Sequence, residues 1–590
     1  MIKVSDYIFK RLKEKYAVNN VFMVSGGGAM HLNDSIGKFL PYICNHNEQA
    51  CGIAAEGYAR YNQELAVVNV TTGPGGLNAL NGVFGSWTDS APVLFVSGQV
   101  KFSTCKDSCP ELPGLRQLGD QEVDIISVVK SLCKYAVTIS DPKTVKYHLD
   151  RAVYEATHNR FGPVWLNIPI NVQAALIDEN DLEEFTWPQK RLYDLKINDV
   201  ISKLQSAKRP LIVAGHGIRL SKTGKMFSAL LKKADMPVLT TFNGFDQISE
   251  DNPHYIGRFG TVGQRAGNFV LQNADCILFL GTRNNIRQIS YNWENFAKKA
   301  FKIVVDIDEN ELKKPFVKPD LPVCADLAEF LPALVEKMPR IDAVEWLKWC
   351  RDIKEKYDFD HTPEYRQTGD KINAYAFTRR LTELLPDGER FVMANGFACV
   401  GPHQVAMVKK DQRFLLNAGD ASMGYDLPAA IGVCIASGKK ETICFAGDGS
   451  IMMNLQELQT IKHHNLPIKI FVINNDGYLS IKMTQNNFFE GRHCGDGRNS
   501  GVSLPDFVAV ARAFGIEAFS LTDPAKVDEA VQTMLAAEGP MLCEVVVDPN
   551  YIFSPKLSAR KLPDGTMQSP SLEDMYPFLP RNEFERNMLK

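Results

Sequence analysis

TICFAGDGSIMMNLQELQTIKHHNLPIKIFVINNDGYLS, residues 442–480, reads as one β-α-β unit. An apolar run ends at Gly-Asp-Gly, apolar residues then recur at helical spacing, and a second apolar run ends at Asn-Asn. Asp448 and Asn475 therefore fall just past the carboxyl ends of two strands, the edge where open α/β sheets bind ligands. One carboxylate, one amide oxygen and bare glycine backbone suit a hard cation holding a phosphate. Mg2+ takes about six oxygens and draws few of them from protein. The helix opening at Ser450 adds its positive end to the same turn. Gly-Asp-Gly alone is a common turn, and Asn-Asn before glycine is ordinary loop chemistry. It is the pair, across one β-α-β unit, that points to a site.

Outward from this unit the same style repeats. A chain of 590 residues is too long for one core, and three or four domains are expected. Residues 1–180 alternate helices with strands expected at 20–24, 66–71, 93–98 and 164–168. Residues 192–340 carry four more in PLIVAGHGI, PVLTTF, CILFLGTR and KIVVDID. A linker, a helix plus an extended surface connector, is expected over 341–371, and 372–555 holds the opening unit. Residues 556–590 have little periodicity and read as a tail lying over the rest. The expected fold is α/β: three doubly wound domains with mostly parallel sheets, plus a C-terminal tail.

A net charge of −3 argues against nucleic acid or an anionic membrane as partner. No apolar run approaches the ~20 residues that span a bilayer, and the N-terminus reads as a capped amphipathic helix, not a signal peptide. The 13 cysteines show no paired metal or disulfide spacing, and Cys105 and Cys109 read as surface loop thiols, so a reducing, cytoplasmic setting is expected.

GDGS, a gap, then NN resembles the metal motif of thiamin diphosphate (ThDP) enzymes. The resemblance implies Asp448, Asn475 and the Gly477 carbonyl as Mg2+ ligands, with Gly447, Gly449, Ser450, Tyr478 and Leu479 around the diphosphate. HNEQ followed by AAEGYAR, within residues 46–60, is similar to the pyrimidine-side motif of the acetohydroxyacid synthase group. ThDP chemistry needs a carboxylate that shares a proton with the aminopyrimidine ring, so that the exocyclic nitrogen can take the thiazolium proton. The resemblance gives that role to Glu48; without it, a carboxylate at a helix start is worth about 0.3–1 kcal/mol and needs no further purpose. TTGPGGLNAL resembles the family's turn near the pyrimidine, implying Pro74 and Asn78, with Ser25 and Gly26 beside them. DQEVDIISVVKSLCK puts Gln121 near the reacting carbon. MANGF implies Asn395 and Gly396 at the diphosphate, and a plain turn reads equally well there. NAGDASMGYDLPAAIG looks like the segment beneath the thiazolium. The Ala421 carbonyl would accept from the 4′-amino group, and Met423 would prop the two rings in a bent V.

The departures concern the substrate. Asp120, Ile170 and Thr484 stand where acetohydroxyacid synthases usually carry Phe, Lys and an acceptor-selecting Trp. The resemblance thus argues against a housekeeping role in valine and isoleucine synthesis. The pattern around Gly477–Gln485 and the tail motif PSLEDMYPFL look like ThDP enzymes of surface-polysaccharide sugars, some of which acylate a keto-sugar. In the middle block, Gly215, Gly217, Thr241, Arg283, Arg287 and Asp306 follow strands and are similar to the family's FAD segment. FAD needs backbone approach to its pyrophosphate, cations beside it and a carboxylate for ribose. Asn285 and Phe259 replace an acidic residue and a histidine of that segment, and the alternative is a middle block that binds nothing or only an adenine nucleotide.

The resemblance implies decarboxylation of a 2-oxo acid, pyruvate, and carboligation of the acyl unit onto an aldehyde or ketone, with a nucleotide-linked keto-sugar among the candidates. The alternatives are a 2-oxo acid decarboxylase, an acetolactate synthase proper and a non-catalytic cofactor-binding subunit. In such enzymes each site lies between subunits, so a homodimer or homotetramer is expected.

Overall fold

The structure, a computed structural model, describes residues 1–561 and 564–589. Three six-stranded sheets, each wholly parallel, follow one another along the chain. Their central strands are buried on both faces, as Val93–Gln99 is at every position, which is why they read as unbroken apolar runs.

The first and third sheets share one topology. In the first, the order is Tyr42–Cys44, Val21–Met23, Ala66–Val70, Val93–Gln99, Val164–Pro169, Tyr135–Thr138. In the third it is Arg413–Leu416, Arg390–Met393, Thr442–Gly447, Ile468–Asn474, Met541–Val546, Glu517–Leu521. Both run 2-1-3-4-6-5 in chain order, so each has its switch of direction between its first and third strands. The middle sheet runs Tyr255–Arg258, Val238–Thr240, Pro210–Ala214, Cys276–Leu280, Phe301–Asp306, Leu321–Cys324, the 3-2-1-4-5-6 order of dinucleotide-binding folds. It has six strands where the sequence pattern showed four. Tyr255–Arg258 and Leu321–Cys324 are edge strands of four residues, too short to carry a period.

Within 341–371 the helix is Val344–Lys356, whose Trp346, Leu347, Cys350 and Ile353 enter the core of the middle sheet. One further expectation changes. Cys105 is buried, its Sγ beside the carbonyls of Val100 and Lys101, and only Cys109 of that pair is partly exposed. The tail does lie over the rest, on the middle unit, where buried Asn268 and Arg265 donate to the carbonyls of Leu572 and Met575 at 2.8 and 3.1 Å.

The first and third units meet through Glu48–Asn62 and Asp426–Ala436. Small residues set that crossing: a Cβ on Gly432 would stand 1.9 Å from the Ala54 carbonyl, and one on Gly57 2.7 Å from that of Ala429. Among the described residues no helix is long and apolar enough to cross a membrane.

Candidate functional site

The switch of the first sheet gathers the residues expected around a pyrimidine. After Val21–Met23 the chain turns at Ser25 and Gly26, and a Cβ on Gly26 would stand 2.5 Å from Thr71. After Ala66–Val70 it turns at Gly73, φ +60, into the helix Pro74–Asn78. Gln121, itself at φ +60, puts its carbonyl where a Gly73 Cβ would lie, 2.0 Å away, so only glycine fits. Glu48 opens the helix Glu48–Asn62 behind the Asn47 cap, and its carboxylate accepts from Asn78 Nδ2 at 3.0 Å. Glu48, Asn78, Pro74 and Gln121 thus share one edge although they come from three segments.

The equivalent switch of the third sheet holds the other half. Asn395 and Gly396 end Arg390–Met393, and Asp448 follows Gly447 at the end of Thr442–Gly447. The Asp448 carboxylate accepts from its neighbour Gly449 at 2.7 Å and, across the switch to the next strand, from the backbone N–H groups of Asn475 and Gly477 at 2.9 and 3.1 Å. Asn475 Nδ2 meets the Gly477 carbonyl at 2.6 Å. Carboxylate, amide and carbonyl therefore converge on one point. Burial pushes Asp448 up to about 6, against the lowering effect of those three donors. Among the described residues no group of three His, Cys, Asp or Glu could hold a metal. The set at Asp448 is instead a sparse all-oxygen one, which suits Mg2+ completed by water and phosphate. The Tyr478 ring lies on Gly449, where a Cβ would be 2.2 Å from it, and Leu479 starts the next helix, buried. Asn395 Nδ2 donates to the Ala421 carbonyl at 3.2 Å, and Ala421 is held at φ +57, a conformation a non-glycine residue rarely adopts.

The middle sheet's switch opens on a cleft lined by Gly217, Thr241, Arg283, Arg287 and Asp306. Gly215 does not itself line the cavity but packs behind it on Gly281, with a would-be Cβ 2.3 Å from that carbonyl. Arg283 and Arg287 are half-buried and have no ion-pair partner among the described residues; Arg287 lies over the Phe242 ring at 5.2 Å. Asp306, at the far end, is pushed up to about 6 by burial. His216 Nδ1 donates to the Asn243 carbonyl at 2.8 Å, while its Nε2 and Asn284 Oδ1 are buried without a partner.

Three models of thiamine pyrophosphate enzymes match this chain: the N-terminal TPP binding domain over residues 2–128, the central domain over 197–334 and the C-terminal TPP binding domain over 396–545. The acetolactate synthase isozyme 2 large subunit of Escherichia coli (strain K12) is 30% identical over 546 residues, 90% of this chain and 93% of the relative. The acetolactate synthase large subunit of Lactococcus lactis subsp. lactis (strain IL1403) is 30% identical over 570 residues, 94% of each. The chain belongs to the thiamine pyrophosphate enzymes, in their acetolactate synthase-like group.

Several residues of this ThDP enzyme that its motifs did not single out hold the site in shape. Gly424, beside Met423, is gripped on both sides: its N–H donates to Ser450 Oγ at 3.0 Å and its carbonyl accepts from Asn454 Nδ2 at 2.8 Å. Ser450 thus ties the Met423 segment to the Asp448 turn. Asp426, fully buried, lies behind Ser450 and takes the Leu427 N–H at 2.9 Å. Glu457 joins the two terminal units by accepting from Asn45 Nδ2 and the His46 N–H, each at 2.8 Å. Arg160 reaches from the first unit into the cavity and pairs with Asp308 and Glu311 at 3.1 and 2.7 Å. Nothing local in the sequence marks Asn454 or Arg160.

Proposed function

We propose that this enzyme decarboxylates pyruvate and joins the two-carbon acyl unit to an aldehyde or ketone, a nucleotide-linked keto-sugar being the favoured acceptor class. The reading rests on one observation above all: equivalent switches of two like sheets carry the Glu48–Asn78 pair and the Asp448–Asn475–Gly477 cluster. Acetolactate synthases among the relatives support the donor and the carbon–carbon bond formation. The sugar acceptor is supported by Thr484 and Asp120, polar residues at positions that the resemblance assigns to aromatic ones.

Bound ThDP supplies the carbon that carries the acyl unit between the two half-reactions. Glu48, steadied by Asn78, holds the proton shared with the ring nitrogen, and the Ala421 carbonyl orients the exocyclic amine. Met423 would support the cofactor from below, and Asp448, Asn475 and the Gly477 carbonyl would hold Mg2+. Overall, pyruvate loses its carboxylate as CO2, a bond forms between its carbonyl carbon and the acceptor's, and the acceptor oxygen takes one proton. No electron acceptor is consumed. The middle cavity takes FAD on this reading: free guanidinium groups for the pyrophosphate, Asp306 for a ribose hydroxyl and His216 Nε2 as a waiting acceptor. FAD would then have a structural and not a redox role.

A second copy of the chain completes the site. Among the described residues no hydrogen bond or ion pair joins Glu48 or Asn78 to Asp448, Asn475 or Gly477. Leu77, Phe84 and Trp87 beside one half, and Met452 and Met453 beside the other, are exposed apolar side chains suited to that contact.

The test is to incubate the holoenzyme with pyruvate, with and without candidate acceptors, and weigh the products. Acceptor-dependent acetyl adducts are expected; acetaldehyde alone would identify a simple decarboxylase, and acetolactate alone a synthase proper. Visible flavin absorbance of the purified protein decides FAD.

A further inference from the structure

Past the metal loop the chain carries lysine and arginine side chains that have no ion-pair partner among the described residues. The helix Leu479–Phe488 begins two residues after Gly477 and buries only Leu479 and Met483. Ile481, Thr484, Phe488 and the following Phe489 are exposed. The loop beyond is fastened back onto the helix and the metal loop. The Gln485 amide donates to the Cys494 carbonyl at 2.8 Å and accepts the Cys494 N–H at 2.9 Å. The Tyr478 N–H donates to the Asp496 carbonyl at 2.8 Å, and Gly477, at φ +124, lies so close that a Cβ would stand 2.3 Å from that same carbonyl. The loop therefore has a fixed place at the mouth of the candidate site.

Its charges are lopsided. The buried Asp496 carboxylate is taken up inside the loop by His493 at 2.5 Å and by the Ser500 hydroxyl. Lys482, Arg492 and Arg498 have no ion-pair partner among the described residues, and Glu490 is the one other carboxylate between residues 479 and 502. Free guanidinium groups next to exposed aromatic rings suit phosphoryl oxygens, which they bind bidentately, with a ring system lying against Phe488 or Phe489. A neutral aldehyde would gain nothing from them.

We propose that this loop and helix bind a carbonyl acceptor that carries a phosphoryl group, with Arg492 and Arg498 taking the phosphoryl oxygens and Thr484 facing the acceptor's hydroxyl groups. The inference rests on the carboligase reading above and adds what selects the acceptor. Its source is either a sugar phosphate or a nucleoside diphosphate sugar, which share this chemistry.

Adduct formation from pyruvate by the holoenzyme is to be compared with glyceraldehyde, glyceraldehyde 3-phosphate and a uridine diphosphate 4-keto-6-deoxy sugar. A phosphorylated acceptor should have a kcat/KM at least tenfold above that of glyceraldehyde, and whichever of the two is preferred identifies the source. Arg492→Glu with Arg498→Glu should raise the KM of that acceptor at least tenfold and that of glyceraldehyde less than twofold. In the parent enzyme, inorganic phosphate at saturating Mg2+ should compete with the phosphorylated acceptor and not with glyceraldehyde, a measurement that needs no variant to fold. Equal kcat/KM for charged and neutral acceptors, or an equal rise in both KM values, overturns this inference alone. Pyruvate consumption with no adduct from any acceptor overturns the carboligase reading, and this inference with it.

Discussion

Among the described residues Glu48 has one side-chain hydrogen-bond partner, Asn78, and it stands at a helix start that would tolerate glutamine without loss of fold. Glu48→Gln should therefore keep ThDP affinity within a few-fold, measured by titration, while turnover falls about 10²–10⁴-fold, the range for a lost proton-transfer group. Turnover near that of the parent would remove Glu48 from the chemistry. His216 offers a test that does not depend on activity. Burial, with Arg60, Arg219 and Arg413 adding to it, pushes His216 down to about 3, so it is neutral in the fold and charges on unfolding below about 6.5. Its contribution to stability is complete above the unfolded value and is lost as pH falls toward 3, at about 1.4 kcal/mol per pH unit. His216→Gln, whose amide can still donate to the Asn243 carbonyl, should lose about 2 kcal/mol less than the parent between pH 6.5 and 5 in urea unfolding. Parallel losses in both proteins would show that His216 already charges in the folded state.

At the level of elements, the crossing of Glu48–Asn62 with Asp426–Ala436 links the two terminal units and carries Glu48 at one end. A Cβ at Gly432 meets backbone, which cannot swing aside. Gly432→Ala should cost about 1–3 kcal/mol by overpacking, despite alanine's better helix propensity, and should lower the first thermal transition. A rise in that transition would mean that the helices part freely. The meeting of Asp448 with the Asn475 turn was legible in the sequence because both strand ends and both turns lie within one β-α-β unit. So were the central strands, whose burial on both faces leaves unbroken apolar runs. Tyr42–Cys44, Tyr135–Thr138 and the two outer strands of the middle sheet were not, since strands of three or four residues are too short to show a period. The grip of Asn454 and Ser450 on Gly424, and the reach of Arg160 into the middle cavity, were illegible for another reason. They are contacts between segments far apart in the chain, and neither partner carries a local signature of the other.

Across the whole molecule, the tail fastens the middle unit by satisfying polar groups that are buried there. Asn273, 3% exposed, donates to the Asn587 carbonyl at 2.8 Å and accepts the Leu589 N–H at 2.7 Å. Tyr357, at the end of Val344–Lys356, donates to Glu583 and accepts from Asn587 Nδ2, each at 2.6 Å, and Phe584 packs on Phe269 at 5.8 Å between centroids. A chain ending at Leu579 would leave these groups to water or unpaired, at about 1–3 kcal/mol for each that stays buried. The loss should be local, because Phe584, Met588 and Leu589 pack against the core of the middle sheet, and among the described residues none after Leu579 joins the clusters under the terminal sheets. Amide exchange should therefore quicken in Arg265–Asn273 and Val344–Lys356 and stay unchanged in Thr442–Gly447 and Ile468–Asn474. ThDP affinity should stay within a few-fold, since both halves of its site lie outside the middle unit, whereas flavin retention should weaken with the walls of its cavity. Unchanged exchange in those two helices would show that the tail covers the middle unit without holding it. Faster exchange throughout the chain would show instead that the three sheets open as one.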